Sequence, residues 1–108
     1  MTVVRYEPEG LDEPEGLDEL EASVEWYERE RPGLGHRFAA RVEDMVDRIA
    51  EAPKSFSVVL RVDGTAFHRA LLDKFPYAIV FLSPLQAEVR ILAVAHLHRR
   101  PDYWRGRV

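Results

Sequence analysis

The spacing of hydrophobic positions changes along the chain, and each change predicts a different kind of element. The β-branched and aromatic run at 2–6 favours a short strand. From Leu17 onwards, apolar residues recur at helical spacing. They are Leu17, Leu20, Val24 and Tyr27. The Pro and Gly residues of "RPGLG" at 31–35 end that helix, and a second amphipathic helix is predicted over about 34–51. So short a break predicts that the two helices form an antiparallel hairpin.

Four runs of strand-like residues follow Pro53. They are 57–62, 65–72, 77–83 and 88–96. Asp63–Gly64 lies between the first two runs and is a strong signal for a two-residue hairpin turn. Mostly short connections predict an antiparallel sheet of three to four strands. The chain is therefore expected to form one α+β domain over 1–108, in which the helical hairpin packs on one face of the sheet.

Strict alternation along the last strand predicts which side chains share a face. One face would carry Arg90, Leu92, Val94 and His96, and the other Val89, Ile91, Ala93 and Ala95. Arg69 and the His96 region would converge if their strands were neighbours in the sheet.

A duplicated acidic segment separates the first strand from the first helix. The six residues EPEGLD occur at Glu7–Asp12 and again, without change, at Glu13–Asp18. Pro and Gly in both copies exclude a continuous helix or strand, so residues 7–18 are predicted to be a duplicated loop, with Asp18 as a candidate N-cap of the following helix. The alternating Asp/Asn ligands of a calcium loop are missing, and no metal site is expected.

Composition narrows the class of protein further. No apolar run approaches the roughly 20 residues of a membrane helix, the first residues do not resemble a secretory signal, and Cys is absent. A cytoplasmic protein without membrane contacts is the expectation.

Charge is distributed unevenly along the chain: residues 1–55 carry a net charge of −8, and residues 56–108 carry a net charge of +4. Binding of an anionic partner by the second half therefore stays possible despite the net charge of −4.

The basic half ends in an unusual stretch, "HLHRRPDYWRGR" at 96–107. It combines two histidines, four arginines, a tyrosine and a tryptophan in twelve residues. Such a composition suits an active site, a nucleic-acid contact or a protein-docking surface. The plainer interpretation is that His96 bonds a backbone carbonyl and that Tyr103 and Trp104 close the core.

Four segments, taken in order, resemble the RelE/ParE family, the toxins of type II toxin–antitoxin pairs. They are "EASVEWYERERPGLGHRF" at 21–38, Ile49 followed by Pro53, "FHRALLDKFPYAIVF" at 67–81 and "ILAVAHLHRRPDYWRGR" at 91–107. The resemblance covers nearly the whole chain. It implies the family's fold and growth inhibition relieved by a cognate antitoxin protein.

Two toxic activities are implied by the resemblance. RelE-like members cleave messenger RNA on the ribosome without a metal or organic cofactor, and that reaction needs a proton acceptor, a proton donor and cations over the phosphate. The candidate catalytic residues are His96, His98, Arg99, Arg69 and Tyr103. Arg100, Trp104 and Lys74 are candidates for binding nucleic acid or another target. Lys74 and His68 can equally be ordinary surface residues.

ParE-like members instead poison DNA gyrase through protein contacts. Two departures favour this activity slightly: Ala78 stands where RelE-like nucleases often carry a basic residue, and the chain lacks their strong positive charge. The antitoxin would lie along the helical hairpin, where Trp26, next to the core candidate Tyr27, is a candidate anchor. A non-toxic relative that acts only as a binding protein is the remaining alternative.

Overall fold

The computed structural model of the chain describes residues 2–6, 16–84 and 87–98. Their order is a strand, two helices and four strands, as the pattern predicts. The elements are β1 (Val3–Tyr6), α1 (Gly16–Glu30), α2 (Leu34–Glu51), a short 3-10 turn (Pro53–Ser55), β2 (Ser57–Val62), β3 (Thr65–Leu71), β4 (Tyr77–Leu82) and β5 (Glu88–His96).

Most element boundaries fall where local residues favour them. The bounds predicted for α2 and β5 are the observed ones. Asp63 and Gly64 have φ angles of 50° and 81°, the left-handed values that a two-residue hairpin turn between β2 and β3 requires. The start of α1 differs from the prediction. The helix begins at Gly16, so Asp18 lies inside it rather than at its N-cap.

The sheet has five strands and is mixed, which corrects the prediction of three to four antiparallel strands. Its order is β1-β5-β4-β3-β2. β2 to β5 form the expected antiparallel meander. β1 joins the same sheet and pairs in parallel with β5, with Val4 opposite Val89 and Tyr6 opposite Ile91. The two helices that follow β1 carry the chain back across the sheet, which makes the parallel pairing possible.

Two hydrophobic clusters occupy opposite faces of the sheet. The first joins helix residues to strand residues, and its members include Tyr27, Phe38, Val42, Ile49, Ala70, Tyr77, Ile79, Phe81 and Val94. Among the residues that the structure describes, the second contains only strand residues: Phe67, Val80, Leu82, Leu92, Ala93 and Ala95, with Leu60 and Val62 packed against it. The helices therefore cover one face, as predicted, and the other face is also apolar along β4 and β5.

A β-bulge in β5 overturns the predicted alternation of its side chains. Val80 of β4 pairs with Ala93, whereas the next residue, Phe81, pairs with Ile91. Leu92 is thus the extra residue, and it joins Ala93 in the second cluster. Beyond the bulge the alternation resumes one position out of phase. Leu92 consequently lies on the face opposite Val94 rather than on the same face.

The turn between the helices is held by one carboxylate. Glu28 accepts hydrogen bonds from the backbone N–H groups of Gly33 (2.9 Å to Oε2) and Gly35 (3.0 Å to Oε1). The helices also approach each other closely at Gly35, because a Cβ atom there would lie 2.6 Å from the carbonyl oxygen of Val24. The "RPGLG" segment therefore fixes how α2 leaves α1.

Neither described helix has the length and apolar content needed to cross a membrane.

Candidate functional site

The end of β5 forms a corner with the start of β4, and two predicted site residues lie in it. We call this the histidine corner and define it by Tyr77, His96, Leu97 and His98. His96 pairs with Tyr77 across the strands, and their rings meet edge to face with 5.0 Å between centroids. The N–H of Leu97 donates to the carbonyl of Pro76 over 2.8 Å. This bond ties the chain after β5 to the turn before β4.

The hydrogen bond inside the corner fixes the tautomer of His96. The backbone N–H of His98 donates to Nδ1 of His96 over 3.1 Å, and the two imidazole rings lie 5.0 Å apart. Because Nδ1 accepts this bond, it carries no proton, and the proton of a neutral His96 must lie on Nε2. A neutral His96 therefore offers a donor to a ligand, whereas a general base would need a free lone pair at that atom.

A row of aromatic rings connects the corner to the helical hairpin. Successive centroids are 5.0 Å apart for Trp26–Tyr27, 6.0 Å for Tyr27–Tyr77, 5.0 Å for Tyr77–His96 and 5.0 Å for His96–His98. Trp26 is 48% exposed, whereas Tyr27 and Tyr77 are buried. Burial, and then the neighbouring Tyr77, raise the pKa of the Tyr27 hydroxyl, so it stays protonated at neutral pH. The exposed Trp26 and His98 thus form the two ends of the row, with buried Tyr27 and Tyr77 and half-buried His96 between them.

Three cations among the described residues line a cleft beside this row. Its volume is about 660 Å³. The lining residues are Tyr27, Leu34, Arg37, Ala40, Arg41, Lys74, Phe75 and Pro76. Lys74 lies in the turn from β3 to β4 with a φ of 70°, and Arg41 forms an exposed ion pair with Asp73 at 3.7 Å. Lys74, His96 and His98 therefore lie at the same end of the sheet.

Arg69 does not converge with these residues, because the condition set by the sequence analysis, that its strand neighbours the strand of His96, is not met. β3 and β5 are separated by β4. Arg69 pairs with Val80, a member of the second cluster, whereas His96 pairs with Tyr77, a member of the first. Since cross-strand partners share a face, the Arg69 and His96 side chains lie on opposite faces. Ala78, next to Tyr77, is buried on the Arg69 face.

The other predicted residues fall outside the part of the chain that the structure describes. These are Arg99, Arg100, Tyr103 and Trp104, and residues 7–15 of the acidic repeat lie outside it as well. Across the described ranges, no three His, Asp or Glu side chains are grouped as metal ligands would be. The proposed roles of the four C-terminal residues stay predictions.

His68 is a buried polar residue, whereas the sequence allowed it to be an ordinary surface residue. It is only 6% exposed and stacks on Phe81, with ring planes 13° apart and centroids 5.1 Å apart. Its Nδ1 lies 3.0 Å from the carbonyl oxygen of Phe56. The alternation of side chains along this strand indicates the burial of His68, because His68 shares a face with Ala70 and Leu72, both of which are buried.

Comparison with known protein-family models, curated proteins and solved structures gave no match to this chain. Support for a function therefore comes from the geometry of the site and from the resemblance of the sequence motifs to the RelE/ParE family.

Proposed function

We propose that this chain is the toxin of a RelE/ParE-type toxin–antitoxin module and that it acts in the cytoplasm. A small antitoxin, encoded beside it, would neutralise it. Of the two toxic activities, we favour ParE-like poisoning of DNA gyrase through protein contacts. The proposal rests on the four sequence segments that resemble the family and on the surface they would form.

One observation carries the preference for protein contacts: the ring row from Trp26 to His98. Exposed aromatic rings beside arginines are the residues most enriched where proteins bind each other. The row offers such a ring at Trp26, with Arg37, Arg41 and Lys74 around the adjacent cleft. A partner that covered Trp26 would contact one end of this ring row, and the histidine corner lies at its other end.

The described residues give weaker support to RNA cleavage. A neutral His96 presents a proton at Nε2 rather than the lone pair that would take a proton from a 2′-hydroxyl. Arg69 lies on the opposite face of the sheet, and Ala78 adds no cation to either face. The proton acceptor and the phosphate-binding cations are therefore not assembled around His96 within the part of the chain that the structure describes.

A RelE-like mRNA endoribonuclease is the second candidate, and the grouping of Lys74, His96 and His98 at one end of the sheet favours it. In that case His98, whose ring is exposed, would be the proton acceptor, and a protonated His96 would be the donor. Arg99 and Arg100 would follow directly in the chain and supply cations. A non-toxic binding protein would keep the surface and lack both activities.

Controlled expression in bacterial cells separates the three alternatives. The gyrase poison should cause filamentation and DNA damage, and the purified chain should inhibit gyrase supercoiling. Cut messages, mapped by RNA sequencing, together with rapid loss of protein synthesis would replace our preferred activity with the nuclease. Unimpaired growth at high expression would favour the non-toxic relative.

Matched variants test whether the histidine corner carries the toxicity. His96→Ala and Arg99→Ala should relieve growth arrest, whereas His36→Ala, an exposed histidine of α2, should not. Circular dichroism of each purified variant controls for folding. If His96→Ala and Arg99→Ala both remain folded and fully toxic, the proposed surface is wrong.

A further inference from the structure

A second cleft, distant from the histidine corner, is lined by a buried histidine, one ring nitrogen of which has no hydrogen-bond partner among the described residues. It measures about 480 Å³, within the range of small-molecule sites. It lies between the β2–β3 hairpin and the segment after β4. Among the residues that line it are Lys54, Arg61, Thr65, His68 and Ser83. This cleft has no part in the proposed toxin surface.

The tautomer of His68 follows from its hydrogen bond. The carbonyl oxygen of Phe56 can only accept, so Nδ1 of His68 must carry the proton. Nε2 of a neutral His68 is then an acceptor, and it has no hydrogen-bond partner among the residues that the structure describes. The side chain is 94% buried, because 6% of it is exposed. A buried acceptor without a partner is costly, which makes it a strong attraction for a ligand donor.

The groups around His68 define what else the ligand should carry. Lys54 and Arg61 are donors with positive charge, and no Asp or Glu lies among the described residues that line the cleft. Ser83 uses its hydroxyl proton on the carbonyl of Glu88 at 2.8 Å, so its oxygen remains an acceptor. Cations suit a phosphate group, and the two acceptors, Nε2 of His68 and Oγ of Ser83, suit hydroxyl groups.

We propose that this cleft binds a small phosphate monoester that also carries hydroxyl groups, the chemistry that sugar phosphates and nucleotides share. The phosphate contacts Lys54 and Arg61. A hydroxyl of the same molecule donates to Nε2 of His68. The site is independent of toxicity and of the histidine corner.

NMR titration of the full chain tests the proposal, with ribose 5-phosphate, adenosine 5′-monophosphate and inorganic phosphate as probes. The ring nitrogens of His68 should first report a proton on Nδ1. Both organic probes should then shift the signals of His68 and Arg61, and ribose 5-phosphate should bind more tightly than inorganic phosphate. Tighter binding of the nucleotide would assign the site to nucleotides, and equal affinity would assign it to sugar phosphates generally.

Three variants separate the two parts of the site. Lys54→Ala and Arg61→Ala should each weaken ribose 5-phosphate roughly tenfold or more, as for loss of a charge-assisted hydrogen bond. His68→Asn retains an N–H that can reach the Phe56 carbonyl but removes the Nε2 acceptor. It should weaken ribose 5-phosphate by about two- to tenfold and leave inorganic phosphate unchanged.

Arg37→Ala, in the other cleft, is the matched control and should leave binding unaltered. Equal affinity for inorganic phosphate and ribose 5-phosphate would overturn the proposal, because it would show charge attraction alone. So would an unchanged affinity in Arg61→Ala, which remains decisive if His68→Asn fails to fold. If these binding tests fail, the proposal that the chain inhibits growth still stands. If the chain proves non-toxic, the proposal that this cleft binds a phosphate monoester still stands.

Discussion

The backbone N–H of His98 donates to Nδ1 of His96, two residues earlier in the chain. The bond closes a tight turn at the point where β5 leaves the sheet. It also determines which ring nitrogen of His96 a partner meets. A local backbone bond thereby sets the chemistry of the corner.

We predict that neutral His96 carries its proton on Nε2. Heteronuclear NMR that correlates ring protons with both ring nitrogens measures this directly. A neutral ring protonated on Nδ1 would contradict the geometry and restore His96 as a candidate base.

Glu28→Gln should destabilise the helical hairpin, and the loss should depend on pH. Hydrogen bonds from the backbone N–H of Gly33, and then of Gly35, lower the pKa of Glu28 in the folded chain. A lowered pKa means that the stabilisation is fully present above the pKa of Glu28 in the unfolded chain. It is lost as the pH falls through the folded-state value.

Thermal unfolding at neutral and acidic pH measures this dependence. Glu28→Gln should unfold at a lower temperature than the wild type at pH 7, and the difference should shrink near pH 3. Glu25→Gln, on the exposed side of the same helix, is the control and should change little at either pH. A difference that grew on acidification would refute the role assigned to Glu28.

Gly35→Ala tests the close approach of the two helices. Alanine in a helix is ordinarily favoured over glycine by about 0.5–1 kcal/mol. At Gly35 the new Cβ would lie 2.6 Å from the Val24 carbonyl oxygen and 2.9 Å from the Glu28 side chain. Because one of these atoms belongs to the backbone, we expect a net destabilisation of about 1–3 kcal/mol in urea unfolding. A stabilised variant would show that the helices can separate at no cost.

Trp26→Ala should separate binding from stability. The ring is half exposed and makes an edge-to-face contact with Tyr27, so its removal should cost about 0.5–1.5 kcal/mol of folding free energy. As an interface anchor it should cost at least about tenfold in affinity for the protein encoded by the neighbouring gene. Calorimetric titration measures that affinity. Leu71→Ala, an equally exposed apolar residue on β3, should leave it unchanged.

The sequence alone predicts the features that depend on residues close together in the chain. Helix α2 follows a clear apolar stripe between Gly33 and Pro53, and the Asp63–Gly64 turn needs only its own two residues. Pairing of β1 with β5 joins residues some 85 positions apart, from Val3 to Glu88. No local pattern specifies such a pairing, so the fifth strand and its parallel direction emerged only in three dimensions.

The candidate site was predictable in part for the same reason. Lys74, His96 and His98 were identified as residue types, and the structure places them at one end of the sheet. The separation of Arg69 from His96 depends on which strands are neighbours and on the face that each pairing selects. Alternation alone could have identified His68 as buried, whereas the tautomer of its ring depends on Phe56, twelve residues away.

The bulge at Leu92 shifts the alternation of side chains along β5 by one position. It converts a sequence whose simple alternation would carry Leu92 and Val94 together into one that separates them. Removing this one residue would restore regular pairing without turning either half of β5 over, because Ile91 and Ala93 already lie on opposite faces of the sheet. A single-codon deletion at Leu92 would therefore keep the facing of the other β5 side chains and remove one apolar side chain from the second cluster. The strand can thus gain or lose a residue at this position without exchanging the side chains that the protein presents to a partner.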